Sequence, residues 1–169
     1  MENIIIKKVL IIGSGVMGSR IACYLSDVGL SVFLLDIIGN DKNRNSIVNS
    51  NLNKTIKSRP EPLLDKSNVH NITTGNIIDD INKIKDCDWI IEAVSEKENI
   101  KKEVLDIIEK NKKKESIVST NTSGLSINNL VKGRSKEFKE NFLGIHFFNP
   151  PRQLRLSLIH ISEPTRPTR

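Results

Sequence analysis

The chain has 169 residues, 37% of them hydrophobic, 27% charged and only 4% aromatic. This is the profile of one globular domain with a core of Ile, Leu and Val, and it is too short for two large domains. The formal net charge is +6, but the lysines are scattered, as at Lys101, Lys102, Lys110 and Lys112 to Lys114, with no interleaved aromatics. That pattern fits solvated helix faces or attraction to a phosphate-bearing ligand, and argues against nucleic acid as a partner.

In chain order, residues 9–12 are a short apolar run that reads as a buried strand, followed at once by glycines. Val16, Ile21, Ala22, Leu25 and Val28 then recur at helical spacing until Gly29. Residues 31–35 form a second buried strand ending in Asp36, so the segment is a strand–helix–strand unit with a right-handed crossover. Residues 40–58 carry a weak helical period, and Arg59-Pro60-Glu61-Pro62 breaks it. Further strands are expected at 69–73, 88–92, 116–119 and 142–147. A short helix is expected at 79–84 and an amphipathic helix at 98–111, with Ile100, Val104, Leu105 and Ile108 on one face. This alternation predicts an α/β, doubly wound, mostly parallel sheet.

No stretch approaches the roughly 20 apolar residues of a membrane span, so no membrane association is expected. Met1-Glu2-Asn3, a run of isoleucines and then Lys7-Lys8 do not follow the order of a signal peptide. Cys23 and Cys87 stand far apart, in no metal or redox spacing. A cytoplasmic location without a metal site is the expectation.

The turn Gly13-Ser14-Gly15-Val16-Met17-Gly18 sits between a buried strand and a helix, the context that a G-x-G-x-x-G motif needs. Gly13 permits the tight turn, Gly15 lets a pyrophosphate approach the backbone, and Gly18 lets helix and strand pack closely. The helix N-terminus adds unpaired N–H groups and the positive end of a dipole. A carboxylate at Asp36 can accept bonds from both hydroxyls of an adenosine ribose and repels a 2′-phosphate, so the expected cofactor is NAD. Together these predict a Rossmann-type fold.

Three later segments are more selective: Trp89-Ile90-Ile91-Glu92-Ala93-Val94-Ser95-Glu96, Ser119-Thr120-Asn121-Thr122-Ser123-Gly124-Leu125 and Gly144-Ile145-His146-Phe147-Phe148-Asn149-Pro150. With these, the chain resembles the NAD-binding domain of 3-hydroxyacyl-CoA dehydrogenases, closest to the branch fused to enoyl-CoA hydratase. The resemblance implies oxidation of (S)-3-hydroxyacyl-CoA to 3-oxoacyl-CoA in fatty-acid β-oxidation. It implies His146 as the catalytic base, with Ser123 bonding the substrate oxygen and Asn149 orienting cofactor and substrate. Glu96 and Lys101 would line the NAD site. An acyl-CoA partner and a homodimeric or multifunctional parent protein are implied as well. Read without the resemblance, His146 could be a core histidine, Ser123 and Asn121 turn residues, Glu96 an acid near a helix start, and Lys101 a solvated lysine.

The family places a carboxylate at the position of Leu158, to orient the histidine. The family pattern stops there. Residues 157–169 resemble a translated sequencing-adapter sequence, so the expected organisation is a Rossmann domain at 1–156 and a non-native tail at 157–169. The family's helical second domain has no counterpart, and the chain alone is expected to hold NAD without efficient turnover. A β-hydroxyacid dehydrogenase with a lysine base, or a non-catalytic NAD-binding module, remain the alternatives.

Overall fold

The computed structural model of the chain describes residues 5–154 and 157–159. The strands are β1 (Lys8–Ile12), β2 (Ser31–Asp36), β3 (Ile72–Asn76), β4 (Trp89–Glu92), β5 (Ile117–Asn121), β6 (Phe142–His146) and β7 (Ser157–Ile159). The helices are α1 (Val16–Asp27), α2 (Ser46–Ile56), α3 (Glu98–Asn111), α4 (Ile127–Val131) and α5 (Lys136–Glu140). The sheet runs β3-β2-β1-β4-β5-β6-β7. The first six strands are parallel, and β7 closes the edge antiparallel to β6. This is the doubly wound order expected, with a crevice where the winding reverses between β1 and β4.

Alternation along β1 builds two cores. Val9 and Ile11 face one side, packed with Ile21, Ala22, Val32, Leu34, Val48 and Ile91. Leu10 and Ile12 face the other, packed with Ile90, Leu105, Ile108, Val118 and Leu130. The sheet is therefore covered on both faces, which is why its central strands read as unbroken apolar runs. Gly29 ends α1 with φ +86°, and the N–H groups of Gly29 and Leu30 bond back to Ser26 and Leu25. That is the left-handed stop that glycine supplies most easily.

Some boundaries moved. The strand expected at 69–73 lies at Ile72–Asn76, paired from Val32↔Ile72 to Asp36↔Asn76. The preceding Lys66–Asn71 is a tight 3-10 turn started by Asp65, whose side chain accepts the N–H of Ser67. The polar end of β3 holds because Asn76 Nδ2 donates to Asn45 and Asp79, while its Oδ1 takes the N–H groups of Ile78 and Asp79. The helix expected at 79–84 is a 3-10 turn at Ile81–Asp86. Of the segment read as a non-native tail, Ser157–Ile159 forms β7, with Leu158 opposite Ile145 and Ser157 opposite His146; residues 160–169 lie outside the described residues.

Candidate functional site

A cleft of about 790 Å³ opens at the C-terminal ends of the central strands. Gly13, Gly15, Val16, Met17, Asp36, Glu96, Asn121, Ser123, His146 and Asn149 are among the residues that line it. The glycine turn forms its floor. Gly13 has φ +104°, and a Cβ there would lie 2.6 Å from the carbonyl oxygen of Ala93. A Cβ on Gly18 would collide with the carbonyl oxygen of Gly13. Gly15 is different, because a Cβ there meets no atom within 4 Å. The fold therefore requires glycine at 13 and 18 for packing, whereas at 15 it leaves open space facing the cleft.

Gly15 is the N-cap of α1; no side chain caps this end and no acid sits in its first turn. The first N–H groups of a helix have no partner within it. Here they are left for an anion, and the dipole adds to the attraction. The floor therefore fits the pyrophosphate of a dinucleotide. Asp36 ends β2 at the rim. Its Oδ2 accepts the Ser14 N–H at 2.7 Å and the Ser14 hydroxyl, and its Oδ1 accepts the Ile37 N–H at 2.7 Å. Ser14, expected to contact the cofactor, is fully buried and turned toward Asp36.

The opposite wall rests on a buried ion pair. The Glu92 carboxylate, at the end of β4, receives Lys101 Nζ at 2.8 and 3.0 Å, the Val94 N–H at 2.7 Å, and the Thr120 hydroxyl. Burial pushes the Glu92 carboxyl above its usual range, and Lys101 offsets part of that. Lys101 has no exposed side-chain surface and also donates to the carbonyl oxygen of Asn121 at 3.1 Å. Lys101, expected to line the cleft, stands behind the wall: α3 carries it on its apolar stripe, and its ammonium is met there by Glu92, by nearby carbonyls and by Glu96 Oε2 at 3.5 Å. Glu92 and Asn121 were not singled out as site residues. A lysine at helical spacing with Val104, Leu105 and Ile108 was the signal that could have found the pair.

Glu96 does reach the cleft. Its Oε1 accepts the Thr122 hydroxyl and the N–H groups of Ser123 at 2.9 Å and Gly124 at 3.2 Å. Burial opposes ionisation of Glu96, but these donors and the nearby Lys101 outweigh it and hold the carboxyl below its usual range. The loop bearing Ser123 is thus latched to the loop after β4. His146 ends β6, half-buried, with its ring 4.5 Å from that of Phe148. The strand end is fixed by Asn121 Oδ1, which accepts the Phe147 N–H at 3.1 Å. Asn149 follows, exposed on the same wall. Among the described residues no carboxylate bonds His146, and position 158, where the resemblance led us to expect one, is leucine in the strand alongside.

Fold and cleft together define a dinucleotide-binding domain of the Rossmann type: a glycine turn under a helix N-terminus, an acid after β2, and a histidine on the facing wall. The family described as "3-hydroxyacyl-CoA dehydrogenase, NAD binding domain" matches residues 8–167, and the chain belongs to it. NAD is the cofactor of this domain. A Bacillus subtilis protein named as a probable 3-hydroxyacyl-CoA dehydrogenase is 44% identical over 94% of this chain and 22% of its own length. The solved (S)-3-hydroxybutyryl-CoA dehydrogenase of Ralstonia eutropha is 30% identical, with a TM-score of 0.71, over 92% of this chain and 54% of its own. The dehydrogenase part of a multifunctional enzyme of C. elegans is 28% identical, with a TM-score of 0.73, over 93% of this chain and 35% of its own. The chain thus spans between about a fifth and about half of these relatives' lengths. Among the described residues no helix is long and apolar enough to cross a membrane.

Proposed function

We propose that this chain is the cofactor half of an enzyme that oxidises (S)-3-hydroxyacyl-CoA to 3-oxoacyl-CoA in fatty-acid β-oxidation. The observation that carries the reading is convergence: Gly15, Asp36, Glu96, Ser123, His146 and Asn149, drawn from five separate segments, line one cleft. Bound NAD supplies the hydride acceptor. Gly13 to Gly18 and the N-terminus of α1 would hold its pyrophosphate, and Asp36 its adenosine ribose. His146 takes the proton of the 3-hydroxyl on an imidazole nitrogen and returns it in the reverse reaction. Ser123 donates a hydrogen bond to the same substrate oxygen, and Asn149 orients substrate and cofactor. Glu96 keeps Ser123 in place through its backbone N–H.

The parent protein acts on acyl-CoA in the cytoplasm, as a homodimer or as part of a multifunctional enzyme. We infer that the sequence from about Ser157, although the family match runs on to residue 167, is non-native and puts leucine at the position of the carboxylate partner of His146. Independent resequencing of the gene tests this: an acid at position 158 is expected, and the same tail in independent reads contradicts it. In the extended protein, His146→Gln lowers the rate of acetoacetyl-CoA-dependent NADH oxidation by about 100- to 10,000-fold, the range of a general acid–base, with NADH affinity retained. Extended protein that binds NADH but never oxidises it with acetoacetyl-CoA refutes the substrate assignment.

A further inference from the structure

We propose that Asn51 and Ser14 set cofactor specificity, by fixing the Asp36 carboxylate through a half-buried relay centred on the buried Ser14 hydroxyl, so that the site takes NAD and refuses its 2′-phosphorylated form. Asn51 Nδ2 donates to Ser14 Oγ at 3.0 Å, and Ser14 Oγ donates to Asp36 Oδ2. A hydroxyl has one hydrogen. With Asn51 filling an acceptor position on the oxygen, that hydrogen is committed to Asp36, and the relay runs one way.

The carboxylate is thereby held at both oxygens. Oδ2 takes the Ser14 N–H and hydroxyl, and Oδ1 takes the Ile37 N–H. A carboxylate offers about four lone-pair positions, so one remains, on Oδ1, for a ribose hydroxyl. This narrows the expectation that Asp36 serves both hydroxyls. The fixed carboxylate also cannot swing toward solvent when a 2′-phosphate approaches, so the like-charge penalty is met in full. Discrimination by a built-in repulsion is a general route to specificity.

The relay starts outside the glycine turn. Asn51 lies on α2, and the same helix is tied to β3 by Asn49 Oδ1, which accepts the Thr74 hydroxyl at 2.7 Å, and by Asn45 Oδ1, which accepts Asn76 Nδ2 at 2.8 Å. Three asparagines two turns apart at most thus anchor the helix and place one amide against Ser14. The polar, weakly periodic character of this helix follows from that duty.

The inference rests on NAD binding at this cleft, and the experiment separates the two. NADH and NADPH affinities are measured by fluorescence titration for the wild-type chain, Ser14→Ala, Asn51→Leu and the double variant, with thermal melting of each. The NADPH-to-NADH Kd ratio is expected to fall about tenfold in Ser14→Ala and about threefold in Asn51→Leu, with the double variant no lower than Ser14→Ala because both act on one relay. A purely structural role lowers the melting temperature or weakens both cofactors together and leaves the ratio fixed. A ratio within about twofold of wild type in the variants overturns the relay while leaving NAD binding intact. Absence of NADH binding to the wild-type chain overturns both. Should Ser14→Ala fail to fold, Asn51→Leu decides, since it lies outside the glycine turn.

Discussion

Asp36 and Lys101 show how far single residues could be read. Asp36 announced itself by its place after a buried strand that follows a glycine turn, and it stands at the cleft. Asp36→Ala should weaken NADH by about tenfold or more, since hydrogen bonds to a charged group are worth roughly 1.5–3 kcal/mol; calorimetric titration with unchanged affinity would remove its role. Lys101 was legible as a residue but not as a pair. Its partner Glu92 is nine residues earlier, on another element, and only the tertiary fold joins them. Removing one member of a buried pair leaves an unpaired charge, so Lys101→Met should cost about 3–5 kcal/mol in denaturant unfolding. Adding Glu92→Gln should recover part of that loss. A loss below 1 kcal/mol, or no recovery, would show that the pair does not brace the wall.

At the scale of elements, β1, α1, β2 and β4 were legible because strands buried on both faces and a helix stopped by glycine leave local signatures. The helices α4 and α5 were not. Each spans five residues, too few to show a period, and each is started by a serine, Ser126 or Ser135, whose side chain caps the first turn. β3 was displaced because Asn76 ends it with tertiary bonds that a polar sequence does not advertise. β1 and β4 are also clipped by Asp88, whose Oδ2 accepts the N–H groups of Lys7 and Lys8 and whose Oδ1 meets Lys113 Nζ at 2.7 Å. Burial works against the charge, but these donors prevail and hold the Asp88 carboxyl at about 2, against 3.8 ordinarily. A depressed carboxyl contributes stability that is complete above its unfolded pKa and is lost as the pH falls through the folded one. Unfolding free energy should therefore decline between about pH 4 and pH 2, through Asp88 and in the same direction through Glu96, and Asp88→Asn should flatten part of that decline. An unchanged slope in the variant would show that the clip is not what acid breaks.

For the whole molecule, the sequence was sufficient for the sheet class, the cleft and the cofactor because all three depend on one strand–helix–strand unit and on motifs near strand ends. The antiparallel β7 lay in the segment set aside as foreign, and its pairing beside His146 came only from the fold. The chain spans a fifth to a half of its relatives, and with leucine at position 158 it should bind NADH with negligible acetoacetyl-CoA reduction; robust turnover would show that the histidine needs no carboxylate at that position. The central claim is that NAD lies on the floor formed by Gly13 to Gly18. It is tested most directly at Gly15, where the fold has room for a methyl group and a bound pyrophosphate does not. Fluorescence titration of wild type and Gly15→Ala with NADH, alongside thermal melting, should show tight binding in the first. The second should remain folded, within the roughly 1 kcal/mol that alanine costs at an N-cap, with binding reduced at least about tenfold. A folded Gly15→Ala that binds NADH as tightly as wild type would contradict the account.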